Sequence, residues 1–239
     1  MKPLLLCTLL LPAALLPRAF ALPGEGIDLT SHPPSVQRIV DRHYRQTERR
    51  LEPRFRFAGV AWPPQRLAYV ALKEQRRLEL WAEQSGQWVH IHDYPIQALS
   101  GQPGPKLREG DLQVPEGFYR ITWLNPHSNF HLSLKLDYPN QHDREQARRE
   151  GRRGLGGEIF IHGEASSRGC LAMGNRVIED LFVLTALVGK ENVSVLIAAR
   201  DFRAEPLSTA SHYGQPEWVS ALNQQLATTL QEQFPREPQ

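Results

Sequence analysis

The chain has 239 residues, 41% of them hydrophobic, with 28 Lys and Arg against 26 Asp and Glu and a formal net charge of +2. Such a composition excludes disorder throughout and leaves room for one core-bearing domain with appendages. The near-balance of charge gives no case for a nucleic-acid partner.

Taken in chain order, the first segment, residues 1–21, holds Lys2, an apolar stretch from Leu4 to Leu16 and Ala19-Phe20-Ala21 as a small-x-small cleavage site. This is expected to be a secretory signal peptide, with the mature chain beginning near Leu22 in the periplasm or cell envelope. The stretch is shorter than the roughly 18 residues of a membrane span, and Pro12 interrupts it, so an integral membrane protein is not expected. Export carries the chain to an oxidising compartment, where cysteines normally pair. Cleavage removes Cys7 and leaves Cys170 alone.

Residues 22–65 are expected to form an N-terminal helical segment. Within it PSVQRIVDRHYRQTERRLE (34–52) carries apolar positions at helical spacing, and Pro53 and Pro63-Pro64 break the pattern, which predicts a surface helix. The main domain is expected over 66–202. There the period shortens to two: LAYVALK, RLELWAE and QWVHIHDY predict a meander of strands, continued by GFYRITWL and FHLSLKL. EIFIHG predicts a short, largely buried strand ending at His162. VIEDLFVLTALVG predicts an apolar helix, NVSVLIAA a buried strand, and EWVSALNQQLATTLQEQF an amphipathic helix in a C-terminal tail, 203–239. The fold class that follows is mostly β with flanking helices.

The chemistry gathers at IFIHGEASSRGCLAM (159–173). His162 ends a strand and Cys170 is expected to precede a helix, so a short loop would fold the imidazole back onto the sulfur. The His would accept the thiol proton and the amide dipoles of the helix start would stabilise the thiolate, both lowering the thiol pKa. Gly163 and Gly169 flank the pair with backbone freedom, and Ser166 and Ser167 add short hydrogen-bonding side chains. The bland alternative is an inert, buried cysteine beside a satisfied core histidine. His90 and His92 share one strand face at a spacing that holds zinc, but no third ligand is near them and no metal is expected. GEASSRG lacks the G-x-S-x-G elbow of a serine hydrolase. Trp62, Trp81, Trp88, Trp123 and Trp218 offer sugar-stacking surfaces. They support a different kind of protein, a non-catalytic wall-binding module, in which Cys170 is dispensable.

His162-Gly163 followed by Ser167-Arg168-Gly169-Cys170-Leu171 resembles the HG...SxGC signature of the L,D-transpeptidase catalytic domain, also called the YkuD domain. VPEGFYRI (114–121) resembles that family's Pro-x-Gly-x-Phe/Tyr strand start. GPKLREGDLQVPEGFY, SNFHLSLKLDYPN and the eight-residue step from His to Cys resemble its YafK-type subgroup of murein L,D-transpeptidases and diaminopimelate–protein amidases. The resemblance covers roughly residues 66–200. It implies a β-sandwich or barrel-like catalytic domain in which Cys170 attacks diaminopimelate-containing peptidoglycan stem peptides and forms a thioester. His162 is then the general base, the Gly163 carbonyl orients it, and the Gly169 and Cys170 amides face the oxyanion. No cofactor is implied. Capture of the thioester by an amine is transpeptidation; capture by water makes the same fold a hydrolase, including an amidase that releases a lipoprotein linked to peptidoglycan. The chain departs from many members in having Arg168 where they have His and Ala172 where they have Arg.

One further segment, YPNQHDREQARREGRRGLGG (138–157), precedes the catalytic strand and carries Arg144, Arg148, Arg149, Arg152 and Arg153, with glycines at 151, 154, 156 and 157. It is expected to bend over the site as a basic flap. There its arginines, with Arg168 and beside Ser167, would grip substrate carboxylates through paired hydrogen bonds. The alternative is a solvated helix.

Overall fold

The computed structural model describes residues 29–204, 207 and 215–236. The expected signal peptide, with Cys7, lies outside the described residues. Strands β1 (Leu67–Leu72), β2 (Arg77–Gln84) and β3 (Gln87–Pro95) form the expected antiparallel meander. They are followed by β4 (Gly117–Ser128), β5 (His131–Leu136), β6 (Phe160–His162), β7 (Leu171–Ala172) and β8 (Val193–Ala198). The helices are α1 (Pro34–Phe57), α2 (Gln141–Arg149), α3 (Asn175–Val188) and α4 (Trp218–Gln233).

All eight strands join one mixed sheet in the order β3-β2-β1-β8-β4-β5-β6-β7. The meander therefore does not run on into β4. The last strand in the chain, β8, lies between β1 and β4, parallel to the first and antiparallel to the second. Its sequence suits a central position: VSVLIA buries five of six side chains, as strands covered on both faces do. β4 divides its length between two partners, Gly117–Arg120 pairing with β8 and the remainder with β5, with a register shift between Ile121 and Trp123. Irregularities of this kind bend a strand locally.

Alternation along β1 shows how the layers are built. Leu67, Tyr69 and Ala71 enter one core, shared with α1 and α3, while Ala68, Val70 and Leu72 enter a second, closed by Leu222, Leu226 and Leu230 of α4. The N- and C-terminal helices thus cover opposite faces of the sheet. α1 also continues past Pro53, which was expected to stop it. Leu51 and Phe55 are both buried one turn apart, and burying that stripe offsets the single backbone N–H missing at the proline.

Polar contacts lock both helical layers. On one side Arg50 of α1 grips Asp180 of α3 at 2.5 Å, although the Asp180 side chain is only 2% exposed. On the other, the fully buried Glu79 accepts from Arg77, Arg203, Arg236 and the Trp81 indole. Breaking a buried pair strands the remaining charge, so Arg50→Ala should destabilise the fold by about 3 kcal/mol, read as a shift in urea midpoint. The double variant Arg50→Ala/Asp180→Asn should recover part of the loss. A change below about 0.5 kcal/mol, the scale of ordinary surface substitutions, would show that the pair does not fasten α1.

Candidate active site

β6 reaches the site through β5, with Ser133 opposite His162 and Leu134 opposite Ile161. Its other edge pairs in parallel with β7, Ile161 beside Leu171 and His162 beside Ala172. Ile161 and Leu171 are fully buried in the core. Alternation then places Phe160, His162 and Cys170 on the opposite face. His162 and Cys170 line one cavity of about 650 Å³ with Asn125, Phe130, Glu158 and Arg168.

His162 is buried, and its Nδ1 donates to the Gly163 carbonyl at 2.6 Å. That bond fixes the tautomer and leaves Nε2 with the lone pair, able to accept a proton. The Phe130 ring packs over the imidazole at 4.7 Å between centroids. Gly163 is required by close approach. A Cβ there would stand 2.7 Å from both the Phe130 carbonyl and the Asn175 side-chain oxygen. Its N–H meets the carbonyls of Phe130 and Leu132, each at 3.1 Å, so the β4–β5 turn seats directly on the His-Gly step.

Cys170 is half-buried, the free cysteine among the described residues. It precedes a helix as expected, but not directly. β7 intervenes and α3 begins only at Asn175, so the helix-start dipoles are displaced from the sulfur. Burial pushes the thiol pKa up, against smaller downward pulls from the Phe160 amide and Lys106. Burial likewise pushes His162 down, against the Gly163 hydrogen bond and Glu164. The resting pair is therefore a thiol beside a neutral imidazole, and the expectation of a lowered thiol pKa is corrected. Iodoacetamide should accordingly alkylate Cys170 slowly near pH 6, with a midpoint above the usual thiol value of about 8.5. A midpoint at pH 5–6, about three units lower, would reveal an ion pair and overturn this picture.

The two expected oxyanion donors are already engaged. The Gly169 N–H donates to Ser100 Oγ at 2.6 Å and the Cys170 N–H to Ser167 Oγ at 3.1 Å. Ser167 Oγ also donates to the Cys170 carbonyl at 2.7 Å. These serines hold the loop, and to serve a developing oxyanion the amides must exchange their hydroxyl partners. Gly169, at φ 102°, makes the turn that a side chain would strain.

Arg168 lines the cavity, but the other arginines do not. Arg144, Arg148, Arg152 and Arg153 line a separate groove with Gly154 and Gly156. Arg149 pairs with Glu145 and Arg152 with Glu150. The expected flap is thus displaced, for a local reason. Asn140 and Asp143 form a capping box that starts α2, and Asp143 also meets Tyr119, which ties the helix start to the β8-paired end of β4. Glycines at 151, 154 and 156, all at positive φ, then return the chain to β6.

Several residues of the site went unnoticed in the sequence. Phe130, Glu158, Asn125 and Ser128 line the cavity, and Ser100 supports it from 69 residues away in the chain. None has a spacing relative to Cys170 that marks it. His90 bonds to Asp93 at 2.7 Å and His92 packs on Tyr94, which accounts for both without a metal. Trp81 is core, Trp62 packs on Phe55, Trp88 on Phe234 and Trp218 on His142; Trp123 is 49% exposed.

The family profile of the L,D-transpeptidase catalytic domain, YkuD, matches residues 65–195, more than half of the chain. The chain belongs to this family. Among curated relatives it is 38% identical over 130 residues to YafK of Escherichia coli strain K12, named as a candidate L,D-transpeptidase, and equally to YafK of Escherichia coli O157:H7. Each match takes in 52% of this chain and 50% of the relative, so the chain spans about half the length of the curated relatives it matches. Among solved structures it is similar to the helical cell shape determining protein Pgp2 of Campylobacter jejuni. The identity is 26% and the TM-score 0.47, over 56% of this chain and 48% of that one. Membership of the L,D-transpeptidase family supports an enzyme with a peptidoglycan-related activity. Among the described residues no helix is long and apolar enough to cross a membrane.

Proposed function

We propose that this L,D-transpeptidase family member is an exported cysteine acyltransferase of the cell envelope, acting on diaminopimelate-containing stem peptides through a Cys170 thioester. The observation that carries this reading is the fixed tautomer of His162, buried and bonded to the Gly163 carbonyl, in one cavity with Cys170. Attack on an amide needs a sulfur nucleophile, a proton carrier and donors where negative charge develops. As the Cys170 sulfur bonds to the peptide carbonyl carbon, its proton passes to Nε2 of His162. The C–N bond then breaks and the departing amine takes that proton. In the second half an acceptor loses a proton to His162 and displaces the sulfur, restoring the thiol. Arg168 orients a substrate carboxylate by paired hydrogen bonds.

The acceptor is an amine in transpeptidation and water in hydrolysis. Among the described residues the arginine segment does not cover the cavity, and this favours the second outcome as an alternative reading: release of an amine-linked group, such as a lipoprotein, from diaminopimelate. Tetrapeptide muropeptides and lipoprotein-linked muropeptides, incubated with the protein and resolved by mass, separate the two. Products joined through a new amide identify the first, and products gaining water the second. Folded protein that binds muropeptides and converts neither would return the wall-binding reading.

Cys170→Ser and His162→Ala should each lower kcat at least ~100-fold without unfolding the protein. Full activity in Cys170→Ser would exclude the thioester. Arg168→Gln should raise KM for carboxylate-bearing muropeptides while leaving alkylation of Cys170 by iodoacetamide nearly unchanged, whereas Arg148→Gln in the distant groove should alter neither. Equal effects from the two variants would remove Arg168 from recognition.

A further inference from the structure

Apart from the Cys170 cavity, three side chains from three elements converge at the back of the β4–β5 turn. They are His43 of α1, His131 at the start of β5 and Glu179 of α3. His43 Nδ1 lies 3.4 Å from one Glu179 oxygen and His131 Nε2 lies 2.9 Å from the other. The imidazoles meet edge to face with centroids 6.1 Å apart. One donor atom from each residue can be chosen so that all lie within 4.8 Å of one another. Tetrahedral zinc, with bonds of roughly 2.0–2.2 Å, spaces its ligand atoms about 3.3 Å apart. Small rotations about the side-chain bonds would close the set to that size. The side chains are 13%, 33% and 15% exposed, so an ion from solvent can reach them and a water can complete the shell.

His131 sits at φ 71° where it closes the β4–β5 turn opposite Ser128. Arg42 and Arg50 lie near enough to His43 to act against a cation, but the charge of Arg50 is taken up by Asp180.

We propose that His43, His131 and Glu179 form a two-histidine, one-carboxylate site for a zinc-type divalent cation, which fastens the β4–β5 turn to α1 and α3. The position matters because the neighbouring Phe130 covers His162 and its carbonyl accepts the Gly163 N–H. A metal here braces the wall of the catalytic cavity without entering it. The competing account is a polar cluster alone, in which the Glu179 carboxylate meets both rings with no metal between them.

The test uses tag-free, chelator-treated protein carrying Cys170→Ser, so that the reactive thiol cannot capture metal. Calorimetric titration with Zn²⁺ should give one equivalent per chain, and Co²⁺ should show the intense visible bands of a tetrahedral site. At metal about 100 times Kd, Tm should rise by about 5–10 °C. Glu179→Gln and His43→Gln preserve side-chain size and so the fold, as circular dichroism will report, yet each should weaken binding at least about 100-fold and abolish the Tm rise. His90→Ala should leave both readouts unchanged. The absence of saturable Zn²⁺ binding in the Cys170→Ser protein, or binding equally tight in the Glu179 and His43 variants, would overturn the site and leave the polar cluster.

Discussion

His162 and Cys170 are held in relation by very little local hydrogen bonding, two rungs of parallel pairing between β6 and β7. Strands of three and two residues have no stability of their own, so the relation is imposed by what packs around them. β5 secures one edge of β6. Residues 97 and 98 secure the outer edge of β7, the backbone N–H groups of Gln97 and Ala98 both donating to the Ala172 carbonyl. That outer segment belongs to a long loop pinned from beneath by Lys73, whose buried ammonium donates at 2.9 Å to the carbonyls of Gly104 and Val114 and to Glu116. Burying a charge costs several kcal/mol unless its donors are met, and here each of the three has a partner. The same loop delivers Ser100 to the Gly169 amide.

The segments outside the family match cover the sheet that the matched residues form. Without α1 and α4, the face bearing Tyr69 and the face bearing Val70 would lose much of their cover. The strands of the matched region are apolar on both sides because a helix from each end of the chain comes to meet them. Glu79 makes this plain at the C-terminal end: a carboxylate with no exposure is sustained by guanidinium groups from Arg203 and Arg236, beyond the matched residues.

Much of this was legible in the sequence, with failures of a consistent kind. Period-two patterning located β1 to β5, because side-chain alternation is a local property of a strand, and short apolar runs located β6 and β8. It carries no information about which strands become neighbours, and the insertion of β8 beside β1 was missed. The helix past Pro53 was missed for a related reason, since burial of Phe55 outweighs a local breaker only once α3 is in place. β7 exists only by pairing with β6 on one edge and with residues 97 and 98 on the other, which is why no strand was expected between Cys170 and the helix it precedes. The His-Gly and Gly-Cys steps were visible as residue types, but the need for glycine at 163 arises from the Phe130 carbonyl and Asn175, both distant in the chain. For the arginines, charge density said where cations are concentrated and nothing about direction. The Asn140–Asp143 capping box set that direction and was itself readable as a helix start.

The raised thiol of Cys170 also bears on its oxidation. Reaction with peroxide, or with another protein's disulfide, proceeds through the thiolate, and its rate follows the fraction of sulfur in that form. Desolvation keeps that fraction small at rest. In the proposed reaction the sulfur becomes a strong nucleophile only when a carbonyl carbon arrives to be attacked and His162 takes the proton in the same event. On that proposal, withholding charge until then acts as chemical camouflage: stray oxidants meet a sluggish thiol, and a correctly placed peptide meets a reactive one.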